Sequence, residues 1–418
     1  METVSKEQSQ SDVSLLFRTL QSAYGAYEYF GQEKFDAAED AVTQWLSSQD
    51  DEIKVSALGE KLQESLAFML THDAHAMIYE PAAEEIEAQV RYEYFFADGF
   101  FFSKDVNGSY YMVNDGERWT LSSFSDEHVS VQPTLLQDGR IVYQPTLFAL
   151  RKDAVQSSVT LKNSSGKAKI YRLDWTESQP LDVDLGTLDY RLIQEDGLTY
   201  VSLRSLVSGT YDNMLARYAR EGAKARGSKA VIYDLRGNVG GSDSWPRKWI
   251  QSFLGTQNSI ETSMLYAQKN SALFAAENSE SLLPEDEGTC FAREVHGTWY
   301  ENDIPIIVLV DDHCGSSGEG AVQLLKTLDN VLVVGSNTAG YQLCGNISTF
   351  TLPYTGIGVR FGSTLFLYGD GENVDHRGYV PDVWCDPQDA LASVLALLKE
   401  QGVVSADACE TVREKIVK

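Results

Sequence analysis

Near the start of the chain apolar residues recur at helical spacing: Leu15, Leu16, Leu20, Ala23, Tyr24 and Tyr27, then Phe35, Ala38, Val42 and Leu46. A third amphipathic stretch runs from Ile53 to Leu70, so the pattern predicts helices over residues 12–72. From Tyr92 to Trp175 the pattern changes to short aromatic and β-branched runs. Turn chemistry interrupts them at Asp98-Gly99, Asn107-Gly108, Asp115-Gly116, Asp138-Gly139 and Ser164-Ser-Gly166, which predicts a module of hairpins. A PDZ-like module is one form such a segment could take.

From about Leu181 strands and helices alternate. Leu198–Leu203 reads as a strand, Asp212–Gly227 as a helix with a glycine stop, and Lys229–Leu235 as a strand buried on both faces. A helix follows with Pro246 in its first turn. Next come a buried strand Pro305–Val310, a helix Glu319–Leu328, a strand Val331–Gly335, hairpin strands from Phe350 to Tyr368 and a closing helix Pro387–Glu400. Right-handed crossovers would make the strands neighbours in one mostly parallel sheet. The expected organisation is a helical domain over 1–85, a β-rich domain over 86–180 and an α/β core over 181–418.

Composition narrows the partners. With 61 acidic and 34 basic residues the formal charge is −27, and no basic stripe exists to displace counterions from nucleic acid. The same charge argues against docking on anionic lipid. Hydrophobic residues make up 43%, enough for a sizeable core and unlike a disordered acidic tail. No apolar run approaches the roughly 18–20 residues of a membrane span. The first residues carry no apolar signal core, so the chain is either cytosolic or had a leader trimmed. The five cysteines form no zinc spacing.

Three strand-to-helix junctions carry candidate chemistry. Asp234-Leu-Arg-Gly-Asn-Val-Gly-Gly-Ser242 follows a buried strand, and its glycines allow backbone N–H groups to approach a ligand and hold an anion. Without a GKS or GKT ending it is not a P-loop. Asp311-Asp-His-Cys-Gly-Ser316-Ser-Gly-Glu319 places a serine at the positive end of a helix dipole. The same residues also read as an ordinary helix cap, with Glu319 completing a capping box. Gly335-Ser-Asn-Thr-Ala-Gly340 follows the next strand. Asp311, Asp312, His313 and Cys314 could suggest a metal, but no second ligand cluster accompanies them, and no metal or other cofactor is expected.

In their order these phrases, with Gly378-Tyr-Val-Pro-Asp382, resemble the C-terminal-processing serine peptidases of family S41. Upstream, Asp73-Ala-His75 resembles that family's D-G-H segment. The resemblance implies a ClpP/crotonase-like peptidase core acting on polypeptides, with Ser316 as the nucleophile. It implies an oxyanion hole from the N–H of Ser317 and of a loop glycine, Gly240 or its neighbour Gly241. The Ser–Lys members carry a lysine after the third motif's glycine; Tyr341 stands there instead. The histidine-using branch, similar to tricorn protease, implies His75 as general base, with His72 as fallback, and an acidic residue before G-x-x-P-D that orients it: Asp375, or Glu372. The serine that precedes the base in tricorn is Ala74 here. His313, three residues before Ser316, is expected to point away. Members of the family are mostly exported, which implies an extracytoplasmic protein, the cytoplasm being the alternative. The rival expectations are an inactive S41-like protein that binds a peptide or apolar ligand and, less favoured, an acyl-CoA enzyme on the crotonase fold.

Overall fold

The computed structural model describes residues 3–80, 92–150, 157–209, 211–277, 284–369 and 371–417. The chain packs as two compact units, each gathered from separate stretches rather than as three consecutive domains. One unit combines 1–90, 261–298 and 340–376; the other combines 91–260, 299–339 and 377–418. The physical reason lies in the helices. Their apolar stripes need a partner surface, and later segments of the chain supply it.

In the first unit the helices Lys6–Ala23, Gln32–Ser47 and Val55–Ser65 share one core with the antiparallel sheet formed by Met264–Lys269, Cys290–Val295, Cys344–Thr351 and Gly358–Tyr368. Tyr24 meets Phe361 edge-on at 5.9 Å, and Tyr27 stacks on Phe35 at 4.3 Å. The stretch expected as one helix from Ile53 is broken. Glu52–Lys54 pairs with Thr3–Ser5 as strand, and a turn at Leu66 separates off the short helix Ala67–Leu70. Met77–Tyr79 adds to the sheet beside Gly358–Arg360, so the chain leaves the last short helix through Asp73-Ala-His75 directly onto a strand.

The second unit contains a ten-stranded sheet. Its parallel part runs in the order Val129–Leu135, Val383–Trp384, Val331–Gly335, Ile306–Val310, Ala230–Asp234, Leu198–Ser202. Alternate residues of these strands face two cores. Val201, Tyr233 and Val308 pack against the helices Asp212–Ala225, Ser244–Leu254 and Ser317–Leu325. Tyr200, Ile232 and Leu309 pack against Ala390–Glu400 and Ala406–Val417. Burial on both faces explains the near-continuous apolar runs in the sequence.

The β-rich segment divides between two sheets. Tyr92–Ala97, Val129–Leu135, Ile141–Leu150 and Trp175–Glu177 extend the ten-stranded sheet. The others form a separate five-stranded sheet, with Trp119 buried at its core. The Asp115-Gly116 turn closes its hairpin with both residues at positive φ, 54° and 73°, as a type I′ turn requires. Among the described residues no helix is long and apolar enough to cross a membrane.

At the end of strand Ala230–Asp234 a buried ion cluster fixes the loop that follows. Asp234 accepts hydrogen bonds from Arg204 Nη1 (3.0 Å), Arg236 Nε (2.9 Å) and Tyr200 Oη (2.9 Å), and the two guanidinium groups hold its carboxyl well below the usual range against the cost of burial. Removing one partner of such a cluster strands the other charges. Asp234→Asn should therefore lose about 3–5 kcal/mol of stability, read as a lowered denaturation midpoint in urea.

Candidate active site

Ser316 stands between strand Ile306–Val310 and helix Ser317–Leu325, as the residue that caps the helix. Its backbone lies at φ 52°, ψ −122°, a conformation that costs a non-glycine residue about 1–3 kcal/mol. The surroundings hold it there. Its N–H donates to Glu319 Oε2 (3.0 Å), its carbonyl accepts from Gly320 N–H (2.9 Å), and Thr338 Oγ1 donates to Glu319 Oε1 (2.5 Å). Glu319 is fully buried, and Thr338 belongs to the Gly335–Gly340 phrase, so the second and third motifs meet at this carboxylate. The cap reading and the nucleophile reading describe the same serine.

The first motif meets the second through the backbone. Gly315 N–H donates to the Asn238 carbonyl (3.0 Å). A Cβ on Gly240, which has φ 99°, would lie 2.8 Å from Ser316 Cβ and 3.0 Å from Ser317 N. A Cβ on Gly241 would lie 2.0 Å from the backbone of Leu206. Only glycine fits either place. The N–H of Gly240 donates to Asn238 Oδ1 (3.0 Å), so this proposed oxyanion donor is engaged in an Asx turn. Asp243, overlooked in the sequence, lies where a Cβ of Gly320 would fall and is hydrogen-bonded by Ser317.

The other candidates lie in the first unit. His75 is 4% exposed, and its N–H donates to Asp73 Oδ1 (2.9 Å). Burial, and then the positive charge of Arg360, push its imidazole down to about 3, while a hydrogen bond to the Cys344 backbone opposes the shift. The ring is neutral at pH 7, and its Nδ1 has no partner among the described residues. Tyr341, in the lysine's place, packs edge-on against the ring at 5.2 Å.

Asp375 reaches the His75 segment through the backbone rather than the ring. Its Oδ2 accepts from Ala74 N–H (2.9 Å), and its Oδ1 accepts from Gln342 N–H (2.6 Å) and Leu343 N–H (2.8 Å). Burial and then the charge of Asp73 raise its carboxyl well above the ordinary range. Asp73 also accepts from Tyr24 Oη (2.8 Å) and from the Cys344 thiol. Of this buried set around His75, the sequence offered the phrase Asp73-Ala-His75 and the candidate Asp375, but not Tyr24 or Cys344 as their partners.

Glu372 and His72 are exposed, and His72 Nδ1 faces Thr71 Oγ1 at 3.0 Å. Asp311 accepts N–H bonds from Leu181 (3.0 Å), Gly237 (2.8 Å) and His313 (3.2 Å), which gives it a structural task in the first junction. All five cysteines are unpaired thiols.

A strained serine at a helix N-terminus beside a parallel sheet and a glycine-lined loop is an arrangement that can present a hydroxyl outward from its turn. Residues 197–384 match the sequence model of peptidase family S41. Similar solved structures include mature CPAF, with 13% identity, 95% of this chain and 98% of the other covered, and TM-score 0.48. The photosystem II D1 C-terminal processing protease has 15% identity, coverages of 93% and 97%, and TM-score 0.45. Tricorn protease has 13% identity, covers 99% of this chain and 37% of its own, and has TM-score 0.42. No curated protein matches the chain in sequence.

The depressed imidazole has a consequence for stability. An unfolded histidine charges near ~6.5, whereas the folded His75 resists until about 3. Its contribution is complete above the unfolded value and is lost as pH falls through that window. His75→Gln should therefore weaken the loss of stability between pH 7 and 4, measured as urea midpoints for both proteins across that range.

Proposed function

We propose that the chain is an active serine endopeptidase in which Ser316 is the nucleophile and His75 the general base. The observation that carries this reading is the strained backbone at Ser316, kept in place by Glu319 and Thr338 within a stretch that matches a serine peptidase family. Strain of this kind presents a hydroxyl outward from the turn. His75 is in the neutral form that a general base requires, and burial makes it a weaker base than a free imidazole.

In this mechanism His75 takes the Ser316 proton as Oγ attacks a peptide carbonyl of a polypeptide substrate. The tetrahedral oxyanion is held by Ser317 N–H and a loop glycine. Gly240 would exchange Asn238 Oδ1 for the oxyanion, or Gly241 would donate in its place. Each such donor is worth on the order of 2.7–4 kcal/mol. The imidazolium returns its proton to the leaving amine, and water activated by the same ring releases the acyl group. Asp375 serves by fixing the Ala74–His75 backbone, and Tyr341 by packing against the imidazole. We also place this activity outside the cytoplasm, on the family resemblance alone.

One observation favours an inactive binding protein instead: both oxygens of Asp375 are given to backbone N–H groups rather than to the imidazole. A fluorophosphonate probe separates the two readings. The peptidase should be labelled on Ser316, Ser316→Ala should escape labelling and lose cleavage, and Gly240→Ala should label about 10²-fold more slowly. No label on the folded wild-type protein would establish the binding reading. With His75 as base, the acid limb of kcat/KM should lie below pH 6.5, because burial holds the imidazole neutral. Retained cleavage by His75→Ala would move the base elsewhere.

A further inference from the structure

We infer that Arg360 is a specificity-determining residue whose guanidinium takes a carboxylate carried by the polypeptide substrate. The inference rests on the reading of His75 as general base. Arg360 lies on strand Gly358–Tyr368, opposite Met77 on one side and Thr349 on the other. Met77 opens the strand that the chain enters directly from Asp73-Ala-His75, so the register brings the arginine beside the histidine segment. Its neighbours Val359 and Phe361 are fully buried in the helical core. Side chains alternate along a strand, so Arg360 stands on the opposite face of the sheet, together with Met77.

The guanidinium is half-buried and makes no hydrogen bond or ion pair among the described residues. The two acids nearest the histidine are committed elsewhere. Asp375 accepts from the N–H groups of Ala74, Gln342 and Leu343, and Asp73 from Tyr24 Oη and His75 N–H. A partly desolvated cation without a counter-charge is costly. In a chain with 61 acidic residues against 34 basic ones, a counter-charge would have been easy to supply. The open guanidinium offers a planar fork of donors, which suits a carboxylate better than any neutral group.

A second observation ties this cation to the chemistry. After burial, the charge of Arg360 is the main influence that lowers the His75 imidazole. The other titratable groups around that ring are Asp73, Asp375, Tyr24, Cys344 and Tyr341, and none of them is a cation. A carboxylate seated on Arg360 cancels its charge and makes the imidazole a stronger base while substrate is bound. The preferred substrate thereby improves its own base.

Quenched fluorogenic decapeptides test this on the full chain. One glutamate, or glutamine in its place, steps through every position of an otherwise neutral sequence, and each peptide is made as the C-terminal acid and as the amide. At one position glutamate should give about ten-fold higher kcat/KM than glutamine, or the terminal acid should surpass its amide by that factor. The first result assigns a side-chain carboxylate and the second the chain end. Arg360→Met should erase the preference, and Arg360→Lys should keep part of it. In the wild type the favoured peptide should place the acid limb of kcat at higher pH than that of kcat/KM, and the neutral peptide should leave the two together. A merely structural arginine would not separate them. Equal cleavage of carboxylate and neutral peptides by the wild type, or an undiminished preference in folded Arg360→Met, would overturn the proposal. If the wild type cleaves no peptide and takes no fluorophosphonate, the peptidase reading fails, and fluorescence anisotropy of the same peptides on Ser316→Ala decides this one. Ten-fold tighter binding of the carboxylate form, lost when Arg360→Met is added, supports it, and equal binding overturns it.

Discussion

The serine-bearing turn depends on one close approach between two backbones. The Asn238–Gly241 loop and the Cys314–Gly318 turn lie so near that a Cβ on Gly240 would meet Ser316, and one on Gly318 would meet the Asn238 carbonyl at 2.7 Å. This contact links the loop anchored by Arg204, Asp234 and Arg236 to the turn anchored by Glu319 and Thr338. Together they over-determine the serine at positive φ, which is how a strained residue persists in a native fold.

Around His75 the governing constraint is desolvation. Two carboxylates, a phenol and a thiol share its buried surroundings, and burial penalises the charged form of each. The imidazole is pushed down and the carboxyls up, so the cluster favours neutral groups. Backbone N–H groups offset part of the cost at Asp375, where three of them converge. Its first effect is on the path of the backbone on either side of the histidine.

Much of the core was legible because strands buried on both faces leave an unambiguous signature. Val331–Gly335 coincides with its expected span, and Ile306–Val310 differs by one residue. What was not legible depended on distant partners. Glu52–Lys54 became strand because Thr3–Ser5 pairs with it, which local periodicity does not reveal. The stretch 261–298 joins the helical unit as Met264–Lys269 and Cys290–Val295, pairing with Gly358–Tyr368 and with each other, and its mixed pattern gave no warning. At the candidate site, the family resemblance pointed to Ser316 and to Asp375 or Glu372. It could not show that Asp375 grips main-chain groups, or that Tyr341 packs against the imidazole, because both contacts join residues far apart in the chain.

The interleaving of the two units bears on synthesis. The helices at the start of the chain wait for sheet strands that end at Tyr368, and the parallel sheet waits for Val383–Trp384 and the helices that follow. On the ribosome the first unit cannot complete its core before Tyr368 has emerged, nor the second before Trp384 and the helices after it. The helices that begin at Lys6 then wait through roughly three hundred residues of synthesis with an apolar face uncovered, the condition under which a nascent chain most needs a chaperone.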